Sequence, residues 1–364
     1  MKNNRIFIAA THQDVGKTTT SLGFLSHLKK SCPNIGFMKP VGQRFVTLED
    51  GTNVDKDVWL IREAFNLNDS AELMSPVIIP SGFTKNYIDN RDSEKLKNKI
   101  ISAFEILSEN KDFVLMEGTG HAGVGSVIDV SNAQVAKILD SDVILVAGGG
   151  IGKPIDEIVL NNALFQQHGV KVAGVILNKV LPEKIEQIKD YAERALAWHG
   201  LDLIGVLPEI PLLSEPTLRE VLKKVKGRFI SGKEFETNLF SDSVLVSHFY
   251  SDLPDKLSPK TLVIASGEQT ELLIACMGME KNMEQLRQLI SGILLVDGFK
   301  PKTHILKALE KENIPVILTE MPAFSATRAV SNLVAKIQPD NPEKISEVSR
   351  IFEENIQWEK MKLI

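Results

Sequence analysis

A loop that ends in Gly16-Lys17-Thr18 constrains the fold of this chain more than any other feature of its sequence. The loop follows an apolar run at residues 6–10 that predicts a buried strand, and it precedes an amphipathic segment at 18–30 that predicts a helix. In this context, free backbone N–H groups at the start of the helix bind phosphate. Lys17 would reach the β and γ phosphates of a nucleotide, and the Thr18 hydroxyl would hold Mg²⁺.

The loop departs from the usual spacing of such phosphate-binding loops. Ala10 and Thr11 stand where a first glycine is expected, so a chance occurrence of Gly-Lys-Thr is the alternative interpretation. The strand and helix on either side favour phosphate binding. The candidate nucleotide-binding residues of the loop are His12, Gln13, Asp14, Val15, Gly16, Lys17, Thr18 and Thr19.

Short apolar runs alternate with helical patterns, which is typical of an α/β fold with a mostly parallel sheet flanked by helices. The predicted strands of the first part lie at 5–10, 34–38, 112–116, 142–147, 171–177 and 203–207. Its predicted helices, after the one at 18–30, lie at 56–65, 93–108, 131–139, 154–168 and 183–198. A second set of strands is predicted at 243–246, 261–265, 292–296 and 314–318.

The alternating pattern is interrupted between about residues 223 and 238, where lysines and glycines replace the apolar periodicity. We therefore predict a nucleotide-binding domain at 1–225, a linker at 226–240 and a second, smaller α/β domain at 241–364. An amphipathic helix from Pro342 would close the second domain. A chain of 364 residues is long enough for two hydrophobic cores.

Composition excludes several classes of protein. The net charge of −5 argues against a nucleic-acid-binding surface, which would carry an excess of basic residues. No apolar stretch reaches the roughly 18 residues that span a membrane, and the N-terminus lacks the pattern of a signal peptide. Cys32 and Cys276 lie too far apart in sequence to suggest a disulfide framework. We therefore expect a soluble, reduced, cytoplasmic protein.

Other charged side chains follow the predicted strands, at the edge where open α/β sheets bind ligands. Glu117 is placed to hold or orient Mg²⁺, although a salt bridge at a turn is the alternative. Lys39 brings a cation to the same edge, unless it is a solvated lysine. Asp55 and Asp57 open the next helix, where they serve as partners of its dipole or as a third metal ligand.

Taken together, and in this order along the chain, these motifs resemble the dethiobiotin synthetase family of P-loop ATPases over roughly residues 1–225. The segments that carry the resemblance are Val15-Gly16-Lys17-Thr18, Lys39-Pro40-Val41, Glu117-Gly118, Asn178-Lys179 and Pro208-Glu209-Ile210-Pro211. The resemblance implies a P-loop NTPase-type fold, with ATP and Mg²⁺ as cofactors.

The resemblance also implies roles for individual residues around the phosphates. Lys17 and Lys39 correspond to the two catalytic cations near the γ-phosphate. Thr18, Asp57 and Glu117 correspond to the Mg²⁺ ligands, and Asp57 is preferred to the other aspartate because its following residues fit the family better. Phosphoryl transfer depends mainly on positioning and charge neutralisation, which these groups would supply.

Three further residues are assigned to the nucleoside by the same resemblance. Asn178 matches the asparagine that binds the adenine ring. Pro208 and Glu209 match the loop that closes over the base and the ribose.

The segments expected to bind the substrate depart from the family. Arg44 lies where small hydroxyl residues hold a diamine, and it would favour an anionic partner unless it is simply solvated. Gly150, Gly152 and Lys153 resemble the loop that binds the substrate carboxylate across a dimer interface, so a homodimer is expected. Because of these departures, we do not expect a working dethiobiotin synthetase.

The second half resembles the DRTGG domain, which follows a dethiobiotin-synthetase-like segment in the N-terminal region of bacterial phosphate acetyltransferases. The resemblance rests on residues 262–269 and 294–301, although the namesake residues are largely replaced by Glu268-Gln269 and Val296-Asp297-Gly298. No acetyltransferase domain follows before Ile364, so we expect that the chain is not a phosphate acetyltransferase.

The leading hypothesis is an Mg²⁺-dependent ATPase that activates a small carboxylate or carbamate, with a C-terminal domain for regulation or dimerisation. The alternative is a non-catalytic protein that senses nucleotides or metabolites, related to the N-terminal part of phosphate acetyltransferases. The presence of Lys17, Thr18 and Glu117 favours turnover of ATP. In either case the partners would be small molecules and a second copy of the chain, with no nucleic acid and no membrane.

Overall fold

The computed structural model describes residues 4–48, 51–247, 257–282, 289–333 and 335–361. The chain forms two compact units, of which the first comprises Met1–Glu209 and Asn341–Ile364 and the second comprises Ile210–Asp340. The chain therefore enters the second unit after Glu209 and returns to the first after Asp340. Both units are of the predicted α/β class.

The first unit is built on a parallel sheet. Its strands are β1 (Arg5–Ala10), β2 (Ile35–Met38), β3 (Val41–Gly42), β4 (Phe45–Thr47), β5 (Asn53–Asp55), β6 (Val77–Ile78), β7 (Phe113–Glu117), β8 (Val143–Gly148), β9 (Val172–Val180) and β10 (Leu203–Pro208). Six of them form one sheet in the order β10-β9-β8-β1-β7-β2, and every neighbouring pair is parallel. These are the six strands that the sequence predicts, and their carboxyl ends share one edge.

Burial explains why the strands of this sheet were recognisable. Residues 6–10 of β1 are all buried, because helices cover both faces of the sheet. A strand that is buried on both faces has a continuous apolar run, without an alternation of apolar and polar residues. β1 lies between β7 and β8, so the loop that follows it is near the middle of the sheet edge.

The helices of the first unit before the crossing are α1 (Lys17–Leu28), α2 (Lys56–Phe65), α3 (Ala71–Met74), α4 (Phe83–Asp89), α5 (Ser93–Ser108), α6 (Asn132–Ile138), α7 (Lys153–Gln167) and α8 (Ile185–Ala197). The six helices that the sequence predicts in this region are confirmed, with ends that shift by a few residues at most. Polar caps set some ends. Ser131 and Gln134 form a capping box at α6, and the Asp55 side chain accepts a hydrogen bond from the Asp57 N–H at α2.

Two small strand pairings in the first unit are not predicted by the sequence. β3 pairs in parallel with β6, and β4 pairs with β5 as an antiparallel hairpin. Strands of two or three residues are too short to show periodicity. They matter because β3, β4 and β5 carry the chain from Lys39 to Asp55 and α2, where the charged residues of the site lie.

The second unit contains a smaller sheet. Its strands are β11 (Arg228–Ser231), β12 (Asp242–Leu245), β13 (Thr261–Ser266), β14 (Ile290–Val296) and β15 (Val316–Leu318). Its helices are α9 (Pro211–Ser214), α10 (Leu218–Lys224), α11 (Thr270–Asn282), α12 (Thr303–Lys311) and α13 (Ala323–Ser331). The strand order is β11-β15-β14-β13-β12, with β11 antiparallel to β15 and the other pairs parallel. Side chains from these strands contribute to two clusters of buried apolar residues.

The structure divides the chain differently from the domain boundaries that the sequence suggests. The predicted linker at 226–240 contains β11, which pairs with β15 and so belongs to the second sheet. The predicted helix from Pro342 is present as α14 (Pro342–Asn355), with a short α15 (Trp358–Met361) after it, but both belong to the first unit. The buried side chains of α14, among them Val348 and Phe352, supply the reason, because this helix packs against α1.

No helix in the described ranges is long and apolar enough to cross a membrane.

Candidate functional site

The phosphate loop between β1 and α1 has a backbone shape that requires glycine. Gly16 has a φ of 102° and Asp14 a φ of 60°, both in the left-handed region, and α1 begins at Lys17, one residue before the predicted start. A Cβ atom on Gly16 would overlap the side-chain nitrogen of Asn178. Backbone conformation and crowding therefore both select glycine at this position.

Two side chains from the end of β9 hold this loop. Asn178 Nδ2 donates to the Val15 carbonyl at 2.8 Å, and Lys179 Nζ donates to the Asp14 carbonyl at 2.9 Å. The other end of the Asn178 amide accepts a hydrogen bond from the Lys179 N–H at 2.9 Å. Asn178 is thus a positioning residue for the loop, and the contact with adenine that the resemblance implies stays a prediction.

Glu117, the last residue of β7, lies directly behind the start of α1. Its carboxylate accepts hydrogen bonds from Thr18 Oγ1 at 3.2 Å and from Ser21 Oγ at 2.7 Å, and only 1% of the residue is exposed. Burial, together with the nearby charge of Asp57, raises the pKa of Glu117 to about 7. This carboxylate is therefore poised between its charged and neutral forms near neutral pH.

Lys39, which follows β2, is surrounded by carboxylates. Its Nζ lies 3.0 Å from Asp55 Oδ1 and 3.7 Å from Glu117 Oε1, and it also contacts Asp57. Burial opposes the charge of Lys39, but Glu117, Asp57 and Asp55 outweigh burial and raise its pKa. The cation that the sequence places at this edge is thus a buried, permanently charged centre of the site.

Asp55 and Asp57 both contact Lys39, but their surroundings differ. Asp55 is 1% exposed and caps α2, and a Cβ atom on Gly42 would lie 2.6 Å from its Oδ2. The side chain of Asp57 is 17% exposed and lies in the first turn of α2. Because Asp55 is committed to the cap, Asp57 is the more accessible carboxylate for a ligand.

Lys17 lies beside the same cluster of charged residues, at the phosphate loop. Its Nζ donates to the His12 carbonyl at 3.5 Å, which is a long hydrogen bond. Burial lowers the pKa of Lys17, against the opposing effect of Glu117. A desolvated ammonium group with a weak partner is suited to bind an anion at the loop.

The residues predicted to hold Mg²⁺ fit that ion by their chemistry. Thr18 and Glu117 place two oxygen atoms 3.2 Å apart, and Asp57 is linked to Glu117 through Lys39. Hydroxyl and carboxylate oxygens are the protein ligands that Mg²⁺ prefers. Among the described residues, however, no three His, Cys, Asp or Glu side chains are already arranged around a metal position, because Lys39 stands between the carboxylates.

Other predicted residues lie at the rim of the site. His12, Gln13 and Asp14 are exposed, and His12 Nε2 lies 3.6 Å from Glu157 on α7. At the end of β10, the Glu209 N–H donates to the Val180 carbonyl at 2.7 Å, which brings Pro208 and Glu209 to the strand that carries Asn178.

The residues predicted to bind the substrate lie outside the charged cluster, with Arg44, Gly152 and Lys153 exposed and Gly150 partly buried. Arg44 lies in the segment before the hairpin with its side chain in solvent. Gly150 has a φ of 130°, Gly152 precedes α7, and the side chain of Lys153 is 82% exposed. Their roles in binding a substrate, and the dimer that the same loop implies, stay predictions.

Two buried polar residues that shape the site, Ser21 and Asn132, were not predicted from the sequence. Ser21 lies one helical turn after Thr18 on the same face of α1, and this spacing could have identified it as a second partner of Glu117. Asn132 accepts a hydrogen bond from the Thr119 N–H and donates to the Thr119 and His121 carbonyls, which fixes the loop after Glu117. No local pattern marks this second residue, because its partners lie 11 and 13 positions away.

Two protein families match this chain, one in each of its two successive parts. The family described as AAA domain matches residues 4–217, which is more than half of the chain. The family described as DRTGG domain matches residues 220–333.

Two kinds of protein occur among the curated relatives. A phosphate acetyltransferase of Nitratidesulfovibrio vulgaris is 25% identical over 97% of this chain and 50% of its own length. An ATP-dependent dethiobiotin synthetase of Methanocaldococcus jannaschii is 30% identical over 48% of this chain and 78% of its own length. Among solved structures, the MinD cell division protein of Aquifex aeolicus is similar with a TM-score of 0.36 and 16% identity, over 57% of this chain and 83% of that chain.

The relatives overturn one expectation. We expected that the chain is not a phosphate acetyltransferase, but several proteins with that name match nearly its whole length at 23–26% identity. The expectation failed because it rested on where the chain stops. The chain spans about half the length of the curated phosphate acetyltransferases that it matches.

Three findings point to the same family, namely the order of the two domains, the sequence of the phosphate loop and the similarity to known proteins. The chain belongs to the AAA-domain family in its dethiobiotin-synthetase-like form, and a DRTGG domain follows, as in the N-terminal region of phosphate acetyltransferases.

Proposed function

We propose that this chain binds Mg²⁺–ATP at the loop formed by residues 11–19 and thereby regulates phosphate acetyl transfer, the activity for which its relatives are named. The single observation that carries the proposal is the cluster of buried charges behind the loop. Lys17, Lys39 and Glu117 converge on the start of α1.

The charges of this cluster suit a metal–nucleotide complex better than either component alone. Asp55, Asp57 and Glu117 contribute up to three negative charges, and Lys17 and Lys39 contribute two positive ones. Burial makes each charge costly unless it has a partner. A divalent cation would satisfy the carboxylates, and the phosphates would satisfy the lysines, so the two ligands stabilise each other in this site.

The protein's own groups account for binding and orientation. N–H groups of the loop and of the first turn of α1 would face the phosphates, and Lys17 would exchange its long contact with His12 for a phosphate oxygen. Thr18, Glu117 and Asp57 would hold Mg²⁺, which when bound neutralises charge on the phosphates. Asn178 and Lys179 hold the loop in place by donating hydrogen bonds to its carbonyl groups.

A binding and activity experiment tests the proposal. The affinity of the purified protein for ATP is measured by calorimetry with and without Mg²⁺. Acetyl transfer to phosphate is then measured with this protein alone and with a phosphate acetyltransferase added, each with and without ATP. We expect Mg²⁺-dependent ATP binding and a rate that changes with ATP. Absence of ATP binding would refute the nucleotide site, and a rate that is independent of ATP despite binding would refute the regulatory role.

Hydrolysis of the bound ATP is a second candidate function. One observation favours it, because Lys17, Thr18 and Glu117 are all present and lie together at the loop. Release of phosphate from ATP by the purified protein, lost in Glu117→Gln while ATP binding persists, would support turnover. Bound ATP that stays intact over hours would leave sensing as the function.

A further inference from the structure

The C-terminal strap, which we define as residues 341–361, packs against the helix that begins at the phosphate loop. The ring of Phe352 lies against Gly23 of α1, where a Cβ atom would overlap the ring. Phe24 meets Phe352 edge to face at 6.2 Å between ring centroids and meets Trp358 at 5.2 Å. The missing side chain at Gly23 therefore allows the strap to approach α1 closely.

Polar contacts extend this packing toward the far end of α1. The ring of His27 stacks on Trp358 at 3.6 Å between centroids and 1° between planes. Glu353 Oε1 lies 2.8 Å from His27 Nδ1 and 2.7 Å from Lys30 Nζ. The strap thus holds α1 through both apolar and charged contacts.

The strap is also attached to the edge of the main sheet. Ile356 forms an antiparallel bridge with Gly205 of β10, and the Gln357 N–H donates to the Ile204 carbonyl at 2.8 Å. Lys360 Nζ lies 3.3 Å from the Leu203 carbonyl. α1 is therefore held to the sheet by a segment from the opposite end of the chain.

The nucleotide site and the strap use nearly opposite faces of α1. Thr18 and Ser21 point to Glu117, whereas Gly23 and His27 face the strap. At about 100° per residue, these two pairs lie roughly half a turn apart. Because a helix moves as a rigid body, a shift on the strap side displaces Lys17 and Thr18 as well.

The other end of the strap follows directly after an anchored residue of the second unit. Asp340 is the last residue of that unit, and Arg219 of α10 lies 2.5 Å from its carboxylate and 2.9 Å from Glu236. The strap lies outside both matched families, which end at residues 217 and 333. It is thus the return connection from the second unit to the phosphate-loop helix.

We propose that the C-terminal strap is a positioning element of the nucleotide site. Docked on α1, the strap holds Lys17 and Thr18 in the geometry that binds Mg²⁺–ATP. Thermodynamic linkage requires the converse, so bound Mg²⁺–ATP stabilises the docked strap by the same factor. This proposal rests on the nucleotide binding proposed above.

Affinity measurements on the whole protein test the first half of the proposal. Phe352→Leu should raise the Kd for Mg²⁺–ATP about fivefold, and Glu353→Gln about twofold. Phe104→Leu is the matched control, because Phe104 is a buried phenylalanine of α5 in the same unit. We expect the control to lower the melting temperature as Phe352→Leu does but to leave the Kd unchanged.

Hydrogen exchange of the wild-type protein tests the converse without any substitution. Mg²⁺–ATP should slow exchange across residues 342–361 several-fold while leaving α5, at 93–108, unchanged. Wild-type protein that fails to bind Mg²⁺–ATP would refute the proposed nucleotide site itself. Normal binding with an unchanged Kd in both strap variants, or with unchanged exchange of the strap, would refute the positioning role alone.

Discussion

Each unit has a sheet edge formed by loops at the carboxyl ends of parallel strands. The two edges differ in whether their charged side chains are buried or exposed. In the first unit, Glu117 and Lys39 are buried there beside Lys17. In the second unit, the corresponding loops carry Asp297 and Glu320, and both are exposed. The architecture alone therefore does not make a binding site.

The loops that lead from a strand into a helix also differ between the two units. In the first unit a glycine with positive φ leads into a lysine and a helix of 12 residues. In the second, Ser266-Gly267-Glu268-Gln269 leads into α11 without a lysine, and a Cβ atom on Gly298 would overlap the exposed carboxylate of Glu320. Buried charge requires a partner, whereas exposed charge is satisfied by water. The comparison predicts that nucleotide binding depends on the first edge only.

The largest effect is expected from the loop lysine. Lys17→Ala should weaken Mg²⁺–ATP binding by about 30-fold to 900-fold, because a desolvated partner of the phosphates is lost, at about 2–4 kcal/mol. Lys300→Ala, at the exposed edge of the second unit, is the control and should leave binding unchanged. Calorimetric titration measures both. Equal affinities of the two variants would remove the distinction between the edges.

The raised pKa of Glu117 predicts a pH dependence. Its pKa is about 7 in the folded protein, compared with 4.5 as the ordinary value, so the folded state holds a proton that the unfolded state releases between these pH values. Stability without Mg²⁺ should therefore fall as pH rises from about 4.5 to 7, by up to about 3 kcal/mol. Urea unfolding across this range tests it, and Glu117→Gln should flatten the slope. A parallel slope in that variant would assign the effect to another group.

Glycine substitutions sharpen the comparison of the two backbones. Gly16→Ala should cost about 2 kcal/mol of stability or more, because it combines a positive φ with overlap at Asn178, and it should also weaken ATP binding. Gly298→Ala, with a φ of 72°, should lower stability without affecting ATP. Thermal unfolding with and without Mg²⁺–ATP separates the two effects. An ATP-induced stabilisation that survives in Gly16→Ala would contradict this account of the loop.

The smallest effect is expected at the exposed arginine. Arg44→Ser should change stability by less than about 0.5 kcal/mol and leave the Kd for Mg²⁺–ATP unchanged, because its side chain lies in solvent. Chemical unfolding and calorimetry would show this. A clear loss of ATP affinity would mean that Arg44 turns toward the phosphates when the nucleotide is bound.

The phosphate loop and the main sheet could be predicted because their signals are local. Gly16-Lys17-Thr18 occurs between a buried strand and an amphipathic helix, and the six strands of the sheet are continuous apolar runs. The short pairs β3–β6 and β4–β5 could not be predicted, because two or three residues show no period. Glu117 was identified by its place at a strand end, but its pKa of about 7 depends on burial that no local pattern reveals.

The sequence by itself determined the fold class, the order of the two domains and the loop between β1 and α1, since each of these depends on residues close together in the chain. Tertiary structure decided which charges meet. Lys39 contacts carboxylates 16, 18 and 78 positions away, and Asn178 holds a loop 163 positions before it. It also decided that the helix from Pro342 belongs to the first unit, because the ring of Phe352 packs against Gly23 of α1. Contacts over such distances in the chain depend on how whole elements pack, which periodicity and motif spacing do not encode.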